Sequence, residues 1–308
     1  MEELLNESLR RYEIKRKMED FALQKGYFPF QPALFEKYEQ YTCKNPSLTK
    51  EKLVVVMNGY QQLLLLRPDI TTAMIKELLP RIDEKNEVKL FYQSTNYRSS
   101  KKSVKEISQF GIEILGEISI SSETEMIEMA CEYLKEYPFI LEIGHTGFLE
   151  GLLDESNLNN DESLKLKKLI YSKDFYGSLQ LIKQKNISDA VKEVFEKLFT
   201  FQGKLDQLIN ISSDYIFNEK MKNAISALLN YTQISPNLYF DLSMINELDY
   251  YEGIIFKGYY PNLPRAVLSG GRYDPLTEEY GHKIGAVGFS IDLNAWMQMK
   301  ERENIWIG

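Results

Sequence analysis

Leu248-Asp249-Tyr250-Tyr251, Ser269-Gly270-Gly271-Arg272-Tyr273-Asp274 and Ala286-Val287-Gly288-Phe289 follow one another toward the C-terminal end of the chain. Strand patterns surround them at 238–242, 253–258, 266–269 and 286–291. Polar groups set in such apolar stretches need partners once they are buried. Asp249, Tyr250 and Tyr251 are of this kind, as are Asp69, Gln109 and Glu113 further back. Carboxylates, an amide and phenols together can grip a small zwitterion: a carboxylate takes the ammonium, the amide bridges, and a carboxylate with a tyrosine bonds an N–H ring. Gln109 and Glu113 are four residues apart, so a strand turns them to one side. Taken singly, each of these residues reads equally well as an ordinary edge or core residue.

Working outward, the spacing of Leu5, Leu9, Tyr12, Met18, Phe21 and Ala22 predicts a helix over 3–25, stopped at Gly26. Residues 27–34, with Pro29 and Pro32, are extended. Residues 53–57 and 60–66 read as a hairpin around Asn58-Gly59, a strong two-residue turn signal. A helix follows over 72–79, then strands over 89–94 and 106–115 around a polar loop. Ser122 with Glu125 fits a capping box ahead of a helix that ends at Pro138. Residues 139–143 form another strand, and about 147–235 is a polar, mainly helical block whose stripes (Val191, Val194, Phe195, Leu198, Phe199; Ala224, Ile225, Leu228, Leu229) read as core faces. Strands bracketing a helical block, with hairpin rather than βαβ spacing, predict an α+β fold: an antiparallel sheet flanked by helices. No Gly-rich dinucleotide or phosphate loop follows a strand, which leaves Rossmann and P-loop architectures without support.

The chain has 308 residues, 44% hydrophobic and 27% charged, with a net charge of −8 and a pI of about 5.2. Nucleic-acid affinity comes mainly from Lys and Arg displacing counterions, so an acidic chain argues against tRNA as its main ligand. Cys43 and Cys131 read as reduced packing residues. Two histidines, His145 and His282, give no zinc-ligand cluster, so no metal and no cofactor is expected. No signal peptide and no membrane span is visible, which suggests a cytoplasmic protein without membrane partners.

The quoted motifs resemble those of histidyl-tRNA synthetases, class II enzymes, over nearly the whole chain. Residues 26–32 resemble motif 1, the dimer-forming segment. Leu66-Arg67-Pro68-Asp69-Ile70-Thr71 resembles the family's Arg-Pro-Glu-Gly-Thr, whose acid holds the histidine amino group; Asp69 keeps the charge on a shorter arm and Ile70 replaces the glycine. Tyr97-Arg98 matches the motif 2 arginine that contacts the α-phosphate and the amino-acid carboxylate. Gln109-Phe110-Gly111-Ile112-Glu113 matches the histidine-contacting Gln and Glu, and Leu248-Asp249-Tyr250-Tyr251 the histidine-specific Leu-Asp-Tyr-Tyr. The resemblance therefore implies a class II catalytic-core-like domain over 1–308 with a helical insertion at about 147–235. It also implies a histidine pocket at Asp69, Thr71, Arg98, Gln109, Glu113, Tyr250 and Tyr251.

Departures from the enzymes are equally specific. Asn246 stands where an arginine activates the histidine carboxylate, and Ser100 where motif 2 carries a glutamate. The loop after Ser99 is short, and Asp292-Leu293-Asn294-Ala295 replaces Gly-Leu-Glu-Arg, whose arginine clamps the γ-phosphate. Adenylation depends on cations that stabilise charge developing on phosphate, and losing one such donor costs about 2.7–4 kcal/mol. Two are lost, and Asp292 adds a carboxylate. The chain also stops about a dozen residues after motif 3, where the enzymes continue into an anticodon-binding domain. No catalytic residues are expected. A non-catalytic relative of this kind is similar to the HisZ family, the regulatory subunits of ATP phosphoribosyltransferase. That likeness implies a homodimer within a hetero-oligomer, a short-form catalytic subunit as partner, and histidine as feedback effector. The alternatives are a histidine-activating ligase with a non-tRNA acceptor, and a scaffold with a vestigial pocket.

Overall fold

The computed structural model describes residues 1–44, 50–83, 86–206, 208, 215–246 and 250–306. Along the chain run α1 (Glu2–Gln24), β1 (Phe28–Pro29), β2 (Phe35–Lys37), α2 (Tyr38–Lys44), β3 (Val54–Met57), β4 (Leu63–Leu66), α3 (Ile70–Leu78), β5 (Val88–Ser99), β6 (Val104–Gly116), α4 (Ile120–Leu134), β7 (Ile140–His145), α5 (Thr146–Asp154), α6 (Asn160–Tyr171), α7 (Phe175–Lys183), α8 (Asp189–Lys197), β8 (Gln202–Gly203), α9 (Glu219–Leu229), β9 (Leu238–Asp241), β10 (Ile254–Tyr259), β11 (Leu268–Arg272), α10 (Asp274–Glu279), β12 (Gly285–Asp292) and α11 (Leu293–Trp306). They fall into two compact units, one of residues 1–122, 262–268 and 274–308, the other of 123–261 and 269–273.

In the first unit β5 and β6 make a long antiparallel hairpin, and β12 pairs antiparallel with β6. The stripe Ile14, Met18 and Ala22 of α1 is buried, and the helix ends at Gly26, whose φ of 86° costs a glycine nothing. β1 pairs with β5 in parallel, through Phe28 with Leu90 and Pro29 with Phe91. A second, three-stranded antiparallel sheet has the order β2-β4-β3. Its hairpin differs from the expected tight turn. The loop spans 58–62, because the Asn58 side-chain oxygen accepts from the Tyr60 and Gln62 backbone N–H groups at 3.0 Å. Such an Asx-type bond opens the turn, the positive φ falls on Gln61 (60°) rather than on Gly59, and the return strand begins at Leu63.

The cap of α4 is also displaced from the expected place. Ser119 Oγ accepts from Ser122 N–H at 3.4 Å, and Ser122 Oγ accepts from Ser119 N–H at 3.2 Å. This is a reciprocal capping box built from two serines, one turn ahead of the Ser122–Glu125 pair. Ser122 sits inside the first turn and donates to Glu87.

In the second unit β10 pairs antiparallel with β7, and β8 with β9, but β7 and β9 are parallel. Among the described strand pairs, two are parallel and the rest antiparallel. A parallel pair needs a long crossover, and the helical block between β7 and β9 is that crossover. Within it α5 and α9 touch closely, since a Cβ at Gly151 would stand 2.6 Å from Met221 Cγ. Burial pushes the free Cys131 thiol up to about 11, so it stays protonated at neutral pH. Among the described residues no helix is long and apolar enough to cross a membrane.

Candidate functional site

In the first unit the expected site residues stand on one face of the β5-β6-β12 sheet and at the start of α3. Antiparallel register puts Ser94 opposite Gln109, Tyr92 opposite Gly111, and Glu113 between Leu90 and Gly288. Facing residues share a side, so Arg98, Asn96, Ser94, Gln109, Glu113, Gly288, Ser290 and Asp292 line one face. The two glycines have spatial reasons. A Cβ at Gly288 would fall onto the Glu113 carboxylate, and a Cβ at Gly111 onto the Tyr92 ring. Glu113 is 2% exposed, and the gap left by Gly288 is what admits it.

Gln109 is held at both ends: its Oε1 accepts from Asn96 Nδ2 at 2.6 Å, and its Nε2 donates to Ser290 Oγ at 3.3 Å. Asn96 Oδ1 and Arg98 Nη1 are buried without a hydrogen-bond partner among the described residues. Arg67, by contrast, is spent on structure. It donates to Pro32 O at 2.6 Å, Ala33 O at 2.9 Å and Thr95 O at 3.0 Å, and also to Ser94.

Asp69 caps α3: its Oδ2 accepts from Thr72 N–H at 2.8 Å. Thr71 is half-buried in the first turn of that helix. The Tyr41 phenol is held above its ordinary range, first by burial and then by the Asp69 charge, with Arg98 opposing. Asp69 and Arg98 are thus gathered around a buried tyrosine that no sequence pattern marked. Asn96 and Arg98 fall in the stretch expected as a polar loop; β5 instead runs on to Ser99, and its two-residue period puts them on one face.

In the second unit Tyr250 and Tyr251 meet at 4.9 Å between ring centroids, and Tyr273 stands edge-on to both at 6.2 and 6.4 Å. Tyr251 lies ahead of two locks: Glu252 N–H donates to Arg272 O at 3.0 Å, and Gly253 N–H to Thr146 Oγ1 at 2.9 Å. Arg272 Nη1 lies 3.1 Å from Glu123 Oε1, and Tyr231 donates to the same carboxylate. His145 caps α5, its Nδ1 accepting from Gly147 N–H at 3.1 Å. Burial and the nearby Arg272 charge lower its pKa to about 4, so it is a neutral cap at pH 7. Asn246 lines a cleft with Thr146, Glu150, Lys167 and Tyr251 that has about 30 Å³ of room, enough for water but not for an amino acid. Asp249 and Leu248 lie outside the described residues.

The positions that the resemblance assigns to phosphate contacts are tied into the fold. Ser100 closes the β5–β6 turn: Ser100 N–H donates to Ser103 O at 2.9 Å, and Ser100 Oγ to the same oxygen at 2.8 Å. Ala295 is fully buried. Asn294 ties α1 to β6, accepting from Arg11 Nη1 at 3.2 Å and donating to Glu106 O at 3.3 Å. Asp292 corrects one expectation. It is not a free opposing charge, because Arg265 pairs with it and it caps α11 through Ala295 N–H.

Residues 1–296 match the family model of histidyl-tRNA synthetase. The chain is 28% identical over 278 residues to the ATP phosphoribosyltransferase regulatory subunit of Oceanobacillus iheyensis, which spans 87% of this chain and 69% of that relative. It is 28% identical over 318 aligned positions to the protein of the same name from Acetivibrio thermocellus, spanning 98% of this chain and 75% of the relative. A crystal structure from Bacillus halodurans, described as an ATP phosphoribosyltransferase regulatory subunit/histidyl-tRNA synthetase, matches with a TM-score of 0.83 at 26% identity, over 92% of this chain and 77% of that one.

Proposed function

The chain belongs to the histidyl-tRNA synthetase family, and from that premise we propose that it is a non-catalytic regulatory subunit of ATP phosphoribosyltransferase. Its partner is a short-form catalytic subunit, and histidine is its feedback effector. The observation that carries this is the asymmetry of the first unit. The face that carries Gln109 and Glu113 includes the space that Gly288 leaves for the Glu113 carboxylate. The positions that grip phosphate have become a tight turn at Ser100 and a buried Ala295. A chain that keeps a place for an amino acid but no means of activating it suits a sensor better than a ligase. The names of the relatives from Oceanobacillus iheyensis and Acetivibrio thermocellus support the same conclusion.

Histidine then acts by linkage. Bound more tightly to an inactive state of the complex, it shifts the population toward that state by no more than its differential affinity. In the first unit the proposed pocket comprises Asp69, Thr71, Arg98, Gln109 and Glu113; Tyr250 and Tyr251 are the candidate aromatic residues of the second unit. The test is co-purification of the full chain with a short-form catalytic subunit from the same organism. A stable complex on size exclusion supports the proposal; two separate peaks at micromolar concentrations of both chains oppose it.

A further inference from the structure

We propose that Asn96 is a ligand-recognition residue of this pocket, accepting an N–H from the ammonium of an α-amino acid whose carboxylate Arg98 holds. This rests on the pocket being an amino-acid site, and it adds a residue that none of the motifs quoted above contains.

Asn96 is 6% exposed. Its Nδ2 donates to Gln109 Oε1, and Gln109 Nε2 donates to Ser290 Oγ. Asn96 Oδ1 is a buried acceptor with no donor among the described residues. Arg98 Nη1 is a buried donor with no acceptor among the described residues. Buried polar atoms are nearly always satisfied, so an orphaned pair on one strand face asks for a missing partner. The two residues are two positions apart on β5, roughly 6.6 Å between Cα atoms, on the face that also carries Gln109 and Glu113.

The chemistry of the partner follows from the pair. An inorganic anion satisfies Arg98 but sets an acceptor against Asn96 Oδ1. An amine lacking an acid group does the reverse and meets the guanidinium charge. A zwitterion presents a donor at one end and an acceptor at the other, and satisfies both.

The test is calorimetric titration of the full chain with histidine and with 3-(imidazol-4-yl)propionate, which keeps the ring and the carboxylate but lacks the ammonium. The unaltered chain is expected to bind histidine about ten- to a hundredfold more tightly than the deaminated compound, the range of a hydrogen bond to a charged group. Asn96→Ala is expected to bring histidine down toward the deaminated compound while leaving that compound's affinity within about twofold. Equal affinities in the unaltered chain overturn the proposal without any variant being needed. An equal loss for both compounds in Asn96→Ala also overturns it and reduces Asn96 to a support for Gln109. If the unaltered chain, free and in the complex, binds neither compound, the amino-acid pocket itself fails, a result distinct from failure at Asn96.

Discussion

Arg265 Nη2 lies 3.3 Å from Asp292 Oδ2, and the other oxygen of that carboxylate accepts from Ala295 N–H at 2.9 Å. Asp292 is therefore a charge-paired helix cap, held in the fold from two sides. Loss of the phosphate grip rests on the missing cation at Ala295 and on the closed turn at Ser100, with little help from the Asp292 charge. Restoring one arginine will not rebuild such a site, because the turn and the cap remain.

The first prediction follows. The full chain with histidine, ATP and magnesium will show no exchange of labelled pyrophosphate into ATP, and neither will Ala295→Arg. Removing even one oxyanion-type donor costs about 10²–10³ in rate, and here two cations are absent. Exchange at a stoichiometric level would restore the ligase alternative.

Glu113→Gln keeps the shape of a buried side chain and removes its charge. Histidine binding will weaken by about 1.5–3 kcal/mol, the worth of a charged hydrogen bond, and the histidine inhibition curve of the complex will move to higher concentration by the corresponding about ten- to hundredfold. Gly288→Ala will have a related but structural effect, since its Cβ lands on the same carboxylate. Overpacking of this kind costs about 1–3 kcal/mol of stability, read as a lower denaturation midpoint. An inhibition curve unmoved by Glu113→Gln places the effector site elsewhere.

His145 carries a pH signature. Its folded pKa of about 4 lies below the ordinary 6.5, so the unfolded chain takes up the proton first. Stability from this group is complete above pH 6.5 and is lost as pH falls from 6.5 toward 4, with a total on the order of 3 kcal/mol. The stability difference between the chain and His145→Asn, a substitution that can still cap α5, will shrink over that window in urea titrations. With only two histidines in the chain, NMR titration assigns the group directly. A His145 midpoint near 6.5 contradicts the buried neutral cap.

Phe28, Leu34 and Phe35, at the motif 1-like segment, are 73%, 39% and 49% exposed in the single chain. Apolar side chains beside an edge strand are a pairing surface. Sedimentation velocity at micromolar concentration will report a dimer; a clean monomer counts against this.

The placement of the candidate residues was legible in part because they obey short-range rules. Gln109 and Glu113 share a face by the strand period alone, and Gly288 is a glycine because Glu113 needs its space. What could not be read depends on register or on competing local bonds. Asn96 joins Gln109 only once β5 and β6 pair so that its amide reaches across. Tyr41 lies far in sequence from the Asp69 and Arg98 charges that act on it. The hairpin at Asn58 was recognised, but its length was set by a side-chain bond that Asn-Gly alone does not announce. The α4 cap shifted by one turn because two serines satisfy each other as well as a serine and a glutamate. Parallel pairing of β7 with β9 hides behind a helical crossover that is itself polar and unremarkable in sequence.

The central claim is regulation without catalysis, and one assay reaches it most directly: ATP phosphoribosyltransferase activity of a short-form catalytic subunit, measured with and without this chain and across a histidine titration. The expected result is activity that depends on the chain and falls as histidine rises. A catalytic subunit whose activity and histidine response are the same in its presence and absence contradicts the claim.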